Sequence, residues 1–214
     1  MVNDFWSPVK LSISIACVSS IFVILSGTIV GRLMARKRFA GKVIVETMLM
    51  LPLVLPPSVV GFLLIVIFGS NSPVGRIFHQ PIMFTWWAAV IASSVVAFPL
   101  MYQAAKTGFQ SVDGEIEDAA RVDGANEFKV LLFISIPLAF KSLLSGAVLS
   151  FARALGEFGA TLMFAGNIPG RTQTIPTAIY VAMDSGNMQL AWLWVLAIIA
   201  ISFMMLVIVQ LRQK

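Results

Sequence analysis

The sequence predicts an all-α integral membrane protein with about five transmembrane helices and a long polar loop on its cytoplasmic side. Three observations carry that expectation: an apolar composition, long runs without charge, and a lopsided distribution of basic residues. Of 214 residues, 58% are hydrophobic and 12% charged, with a mean hydropathy of +0.91. That leaves too few polar side chains to clothe a water-soluble globule. In hydrocarbon each backbone N–H and C=O needs an internal partner, so the apolar runs are read as helices.

Four runs, Leu11–Gly31, Thr47–Gly75, Ile82–Ala105 and Ser185–Leu211, exceed the ~20 residues that cross ~30 Å of hydrocarbon as a helix. They place spans at approximately 11–33, 44–68, 83–106 and 187–211. A fifth span, 138–164, is interrupted by Lys141, Arg153 and Glu157. Its length still argues for crossing, with Lys141 snorkelling to the headgroups and Pro137 at the first turn, where a missing N–H costs least. The alternative for this piece is a re-entrant or interfacial segment. The whole chain, 1–214, is read as one transmembrane domain.

Orientation follows from charge. With the N-terminus outside, the inner side collects Arg32, Arg36, Lys37, Arg38, Lys42, Lys106, Arg121, Lys129, Lys141, Arg212 and Lys214, against Lys10, Arg76 and Arg171 outside and Arg153 within the bilayer. This obeys the positive-inside rule, puts the C-terminus in the cytoplasm, and makes the net charge of +5 an orientation signal rather than a nucleic-acid footprint. The N-terminus lacks a basic n-region and an early small-residue cleavage site, so the first apolar run is read as a retained helix. Cys17 lies inside that helix as a small hydrophobe. His79, the only histidine, stands apart from the single cysteine and suggests no metal site. With no Walker lysine, nucleophile elbow or HExxH, no catalytic residue and no cofactor is expected in this chain. Gly27 and Gly31 form a GxxxG pair read as helix packing, and Trp86, Trp87, Trp192 and Trp194 as interfacial anchors.

The polar loop, 111–137, reads SVDGEIEDAARVDGANEFKVLLFISIP and holds Asp113, Glu115, Glu117, Asp118, Asp123 and Glu127, six of the ten acidic residues. Negative charge in the first turns of a short helix complements its exposed N–H groups. Gly124 can end that helix in the left-handed conformation, and Asn126 can cap a second short helix. The product is an elbow lying on the membrane surface, with Ala119 and Ala120 as a small-residue patch suited to a groove on another protein. A solvated loop without a partner is the plainer alternative.

Two further stretches bear on a pathway. In Met50–Gly61, Pro52, Pro56 and Pro57, followed by Ser58, break the second span and free carbonyls to line a cavity or gate. In Arg153–Ala165, Arg153 and Glu157 are spaced i, i+4 and can neutralise each other in low dielectric, with Gly156 and Gly159 allowing close helix contact. The pair is either an internal lock between helices or a gate that meets an anion.

These residues resemble the permeases of ATP-binding-cassette importers. Asp118-Ala119-Ala120, three residues, Gly124, nine residues, then Ile134-Ser135-Ile136-Pro137 keep the spacing of the EAA signature, with Asp118 in place of glutamate and Ile136 in place of leucine. The proline-rich stretch, the RALGEFGATLMFA stretch and the Pro169–Pro176 loop are similar to molybdate importer permeases, with sulfate and thiosulfate importers as close relatives. The resemblance implies a type I importer permease fold. It also implies a coupling helix that docks on a separate cytoplasmic ATPase through Glu117, Asp118, Ala119, Ala120, Arg121, Gly124, Ala125 and Asn126. Which of Glu117 and Asp118 supplies the acidic contact stays open. It implies a homodimer in the cell membrane, an extracytoplasmic oxyanion-binding protein as partner, ATP and Mg bound by the ATPase, and inward transport of molybdate with tungstate as co-substrate. Sulfate, thiosulfate or another oxyanion is the alternative substrate, and a free-standing secondary carrier the alternative mechanism.

The topology yields a labelling test. A cysteine at Ser72 is expected to react with a membrane-impermeant maleimide from outside and one at Ser111 is not. The reverse pattern, or external labelling beyond Leu211, would overturn the N-out, five-span arrangement.

Overall fold

In the computed structural model, residues 5–69, 72 and 82–213 are described, with side chains through 207. The expectations for Arg76, His79 and Lys214 lie outside the described residues. Among the described residues every regular element is a helix. Helix α1 runs Trp6–Arg36, α2 Lys42–Val54, α3 Pro57–Phe68 and α4 Trp86–Gln110. An elbow follows, made of α5 (Gly114–Val122) and α6 (Glu127–Val130). A π-helical turn, Leu131–Ser135, leads directly into α7 (Ile136–Leu155). The short α8 (Gly159–Phe164), α9 (Ile175–Asp184) and α10 (Met188–Gln213) complete the fold.

Four straight elements are long and apolar enough to cross a membrane: α1, α4, the continuous Glu127–Leu155 stretch, and Met188–Val207 of α10. The α2–α3 pair forms a fifth only as a bent unit, with a 115° change of direction between Val54 and Pro57. Neither half suffices alone, since 13 and 12 residues rise only about 20 Å each. The pair begins at the elbow end, where Glu46 meets Lys106 at 2.7 Å, and finishes at the opposite end, where Phe68 packs on Phe164.

Helix α4 is the hub. It buries Ala88, Ala89, Ala92, Ser93, Ala97, Met101, Ala105 and Gly108, a run of mostly small side chains. Lipid tails are as apolar as the helices, so association rests on close packing, which small residues permit. A Cβ on Gly27 would sit 2.7 Å from Met101 Cγ, and one on Gly31 would sit 2.6 Å from Ala105 Cβ. On the other side, Gly146 of α7 lies against Ala104 and Gly108 against Ser142. The GxxxG pair therefore packs α1 on α4 within one chain. The Ser19 hydroxyl donates to the Val90 carbonyl at 3.1 Å, and the Ile175 N–H donates to the Ser12 hydroxyl at 2.7 Å, pinning α1 to α4 and to the start of α9.

Three expectations need correction. The crossing helix expected at 138–164 instead starts at Glu127 and stops at Leu155, because Gly156, Glu157 and Phe158 leave the helix before α8 begins. Pro137 is not in the first turn of the continuous Glu127–Leu155 stretch; it follows the π turn, in which the Ile136 N–H reaches back five residues to Leu131 O. The wider turn makes room for a proline ring that would clash with the carbonyl four residues earlier. Trp194 is buried rather than interfacial, stacking on Phe5 and donating its indole N–H to the Phe5 carbonyl at 3.1 Å.

Close packing at Gly31 generates a stability test. Gly31→Ala forces a methyl group 2.9 Å from the Lys106 backbone nitrogen and is expected to cost about 1–3 kcal/mol. Gly114→Ala, with no atom within 4 Å, is expected to be neutral. Thermal midpoints in detergent compare the two, and equal midpoints would remove the packing argument.

Candidate functional site: an elbow anchored on the first helix

The elbow is built from local signals. The Asp113 carboxylate accepts from the Glu115 N–H at 3.0 Å and opens α5. At the other end, Gly124 takes φ +89°, the Ala125 N–H donates to Ala120 O at 2.9 Å and the Gly124 N–H to Arg121 O at 3.0 Å. That pair of bonds is the Schellman arrangement, which glycine accepts without a Cβ penalty. The Asn126 side chain then accepts from the Lys129 N–H at 2.9 Å and starts α6.

What fixes the elbow to the bundle is Glu117. Its side chain is 3% exposed and receives Arg32 Nη1 at 2.7 Å and Arg36 Nη2 at 2.8 Å. Arg32 binds in a fork, its second nitrogen reaching the other carboxylate oxygen at 3.2 Å, while its guanidinium lies 5.5 Å from the centre of the Phe109 ring. The Ser135 hydroxyl, at the end of the π turn, donates to the same carboxylate at 2.7 Å. Arg36 also donates to the Val112 carbonyl at 3.0 Å. One carboxylate thus joins α1, α5 and the start of α7. Burial pushes the Glu117 carboxyl up, but the Arg32 and Ser135 hydrogen bonds, the Arg32 charge and the Arg36 bond outweigh it and bring it down to about 2.

Glu117 therefore faces its own chain, and Asp118 is the acidic residue that faces out. Asp118 is 75% exposed and pairs with Arg121 at 2.6 Å. Arg121 also binds Glu127 at 2.6 Å across the turn; that bond raises the arginine pKa, and the arginine lowers that of Glu127. Ala119, Gly124 and Asn126 are exposed, Ala120 and Ala125 half-buried. Ile116, Val122 and Phe128, exposed at 48%, 88% and 69%, add an apolar outer surface.

The two membrane stretches meet at the far end of the bundle. A Cβ on Gly159 would lie 3.0 Å from Pro57 Cβ and 3.4 Å from the Ser58 nitrogen, so the start of α3 sits against the start of α8. Arg153 Nη1 and Glu157 Oε2 are 2.7 Å apart, and the other Glu157 oxygen accepts from the Ala160 N–H at 2.8 Å. Glu157, 1% exposed, thereby caps α8 while neutralising Arg153, which is 29% exposed. Pro52 and Gly156 stand apart from this contact: Pro52 lines a cavity with Phe22, Met48 and Ser94, and Gly156 ends α7. Because Pro56 and Pro57 lack N–H groups, the carbonyls of Pro52 and Leu53 four residues earlier have no helical donor.

Sequence reasoning assigned Arg32 and Arg36 to membrane orientation alone and missed Ser135 and Phe109. The i, i+4 spacing of the two arginines, which puts both on one helix face, was the available signal. Among the described residues no group of three or more metal-ligating side chains occurs.

Comparisons with known proteins agree on one family. The model for the binding-protein-dependent transport system inner membrane component matches residues 27–213. The putative molybdenum transport system permease protein YvgM of Bacillus subtilis (strain 168) is 62% identical over 215 residues, 99% of this chain and 95% of that protein. The molybdenum transport system permease protein ModB of Haemophilus influenzae is 43% identical over 178 residues, 81% of this chain and 78% of that one. A chain of the inward-facing MetNI methionine ABC transporter superposes with a TM-score of 0.73 at 15% identity, covering 100% of this chain and 94% of that chain. The fold is that of a type I importer permease.

The Glu117 anchor predicts a pH dependence. A carboxyl held at about 2 when folded, against 4.5 when free, contributes stability that is complete above 4.5 and is lost as pH falls toward 2. At pH 7 Glu117→Gln is expected to cost on the order of 3 kcal/mol. The gap between the two proteins should stay level from pH 8 to about 5 and close in acid. Denaturant midpoints in detergent measure it; a gap that widens in acid would contradict the anchor.

Proposed function

Because the chain belongs to the family of binding-protein-dependent transport system inner membrane components, we propose that it is the membrane-spanning subunit of an importer that carries molybdate inward, with tungstate as co-substrate. The reading rests on one observation above all: an elbow held rigidly to the bundle by Glu117 while Asp118, Ala119, Val122 and Phe128 face outward. That is the form a docking element needs. It must be stiff toward its own chain and open toward a partner.

The partner is a cytoplasmic ATPase dimer that binds ATP and Mg, with the elbow seated in it and the N-terminus of this chain on the opposite side of the membrane. Two copies of the chain enclose the pathway, and an extracytoplasmic binding protein delivers the oxyanion. Motion is transmitted by one continuous element. Glu127–Leu155 rises about 40 Å from the elbow to Arg153 and Glu157. Displacement of the elbow by nucleotide-driven closure of the ATPase therefore tilts the helix end that carries the Arg153–Glu157 pair. Pro57, Ser58 and Gly159, in contact there, form the wall that moves with it, and Pro52, Pro56 and Gly156 are the adjoining breaks that permit bending. Glu157 holds Arg153 in place and starts α8, so the pair acts first as a lock between helices; a strongly binding cation in the pathway would retain a dianion rather than release it.

Co-expression with the neighbouring ATPase and binding protein tests the reading, with ATPase stimulation measured for the molybdate-, tungstate- and sulfate-loaded forms. Stimulation by the molybdate- and tungstate-loaded forms is expected; stimulation by the sulfate-loaded form alone would overturn the substrate assignment. For the elbow, Gly124→Val is the sharper probe. Open space surrounds Gly124, so the damage comes from the backbone, where a left-handed β-branched residue costs roughly 1–2 kcal/mol or more. The variant is expected to reach the membrane, bind the ATPase at least tenfold more weakly and lose uptake. Uptake at the normal rate would remove the elbow from the mechanism.

A further inference from the structure

On the elbow half of the bundle, α1 and α7 diverge and leave a groove of about 560 Å3 between them. Its walls are apolar: Leu25, Ile29, Leu131, Phe140 and Leu144 among them. Three of these, Leu25, Ile29 and Phe140, are 59%, 60% and 57% exposed, so the groove opens sideways. Along α1 it extends from Ile24 to Leu33, about 14 Å of rise, which is close to one leaflet of a ~30 Å hydrocarbon core.

The groove ends in charge. Arg32 and Leu33 line both the apolar groove and a second, polar cavity of about 410 Å3 that also carries Arg36, Lys37 and Arg121. Acidic groups are present there too. Glu117, Asp118 and Glu127 offset three of the four cations that line the polar cavity, Arg32, Arg36, Arg121 and Lys37, and leave a surplus of one. Lys37 and the adjoining Arg38 form no ion pair among the described residues, and both are exposed. A leaflet-long apolar slot topped by surplus positive charge complements one occupant, an amphiphile with acyl chains and a negative headgroup. Basic pockets between transmembrane helices bind anionic headgroups for this reason.

We propose that the α1–α7 groove is a binding site for an anionic phospholipid of the elbow-side leaflet, with an acyl chain between Leu25 and Leu144 and its phosphate at Arg36 and Lys37. Such a lipid would brace the same two helices that Glu117 joins, next to the elbow. The site is independent of which oxyanion is carried.

Native mass spectrometry of the full-length protein tests it, with delipidated protein titrated with phosphatidylglycerol or with phosphatidylcholine of identical acyl chains. Phosphatidylglycerol is expected to be retained at one saturable site per chain at least tenfold more tightly than phosphatidylcholine. Lys37→Gln, on the surface, should weaken phosphatidylglycerol retention by roughly fivefold, the ratio that about 1 kcal/mol per basic residue implies, and leave phosphatidylcholine unchanged. Leu144→Trp, which fills the slot, should abolish the saturable site for both lipids while the protein remains monodisperse. Equal retention of the two lipids, or full retention by either variant, would overturn the proposal. So would efficient disulfide formation between two copies of a Leu25→Cys variant in membranes, since a second copy would then occupy the groove.

Discussion

The arrangement depends on one buried carboxylate. Glu117 comes from a strongly polar helix, yet it is among the least exposed of the charged residues described, enclosed by Arg32, Arg36 and Ser135. A carboxylate withdrawn from water is tolerated only when charge and hydrogen bonds replace its hydration, and here both do. The consequence is mechanical: a surface loop of a kind that is ordinarily mobile is tied at one point to the first helix and to the root of the helix that follows. A force applied to the elbow is delivered to the bundle.

The same economy recurs at the far end. Glu157 is the only other acidic side chain buried to this degree among the described residues. It too serves two masters, neutralising Arg153 and capping α8. The two carboxylates sit near opposite ends of one continuous helical stretch, so the elbow and the proline-rich contact share a rigid connection. Small residues let that stretch run close to α4, where Gly146 and Gly108 remove the side chains that would hold the helices apart. The break before Pro57 is where α2 and α3 bend by 115°, and Gly156–Phe158 separate α7 from α8.

Membership of a transporter family accounts for features that are poor for stability. A helix pair bent by 115° leaves carbonyls without helical donors, and α2 buries none of its residues within the chain. In a monomer of purely structural purpose these would be defects. Irregular backbone of this kind is tolerated at membrane depth where it is covered by protein or lines a water-filled cavity.

The sequence by itself determined the class, the elbow and its internal grammar. Composition demands a membrane. Asp113, Gly124 and Asn126 act within a few residues of themselves, through caps and a left-handed turn, so their roles are legible from spacing alone. The Arg153–Glu157 pair is legible for the same reason, being one helical turn apart. Only the tertiary structure decided which way Glu117 faces, because its arginines lie 85 residues away in the chain for Arg32 and no local rule relates them. It likewise decided that Pro57 and Gly159 touch, that Trp194 is buried against Phe5, and that the π turn before Pro137 lets a crossing helix begin eleven residues early. Local periodicity reports what a segment can do within its own turns; the partner it meets across the bundle depends on packing between segments, which the linear order does not encode at short range.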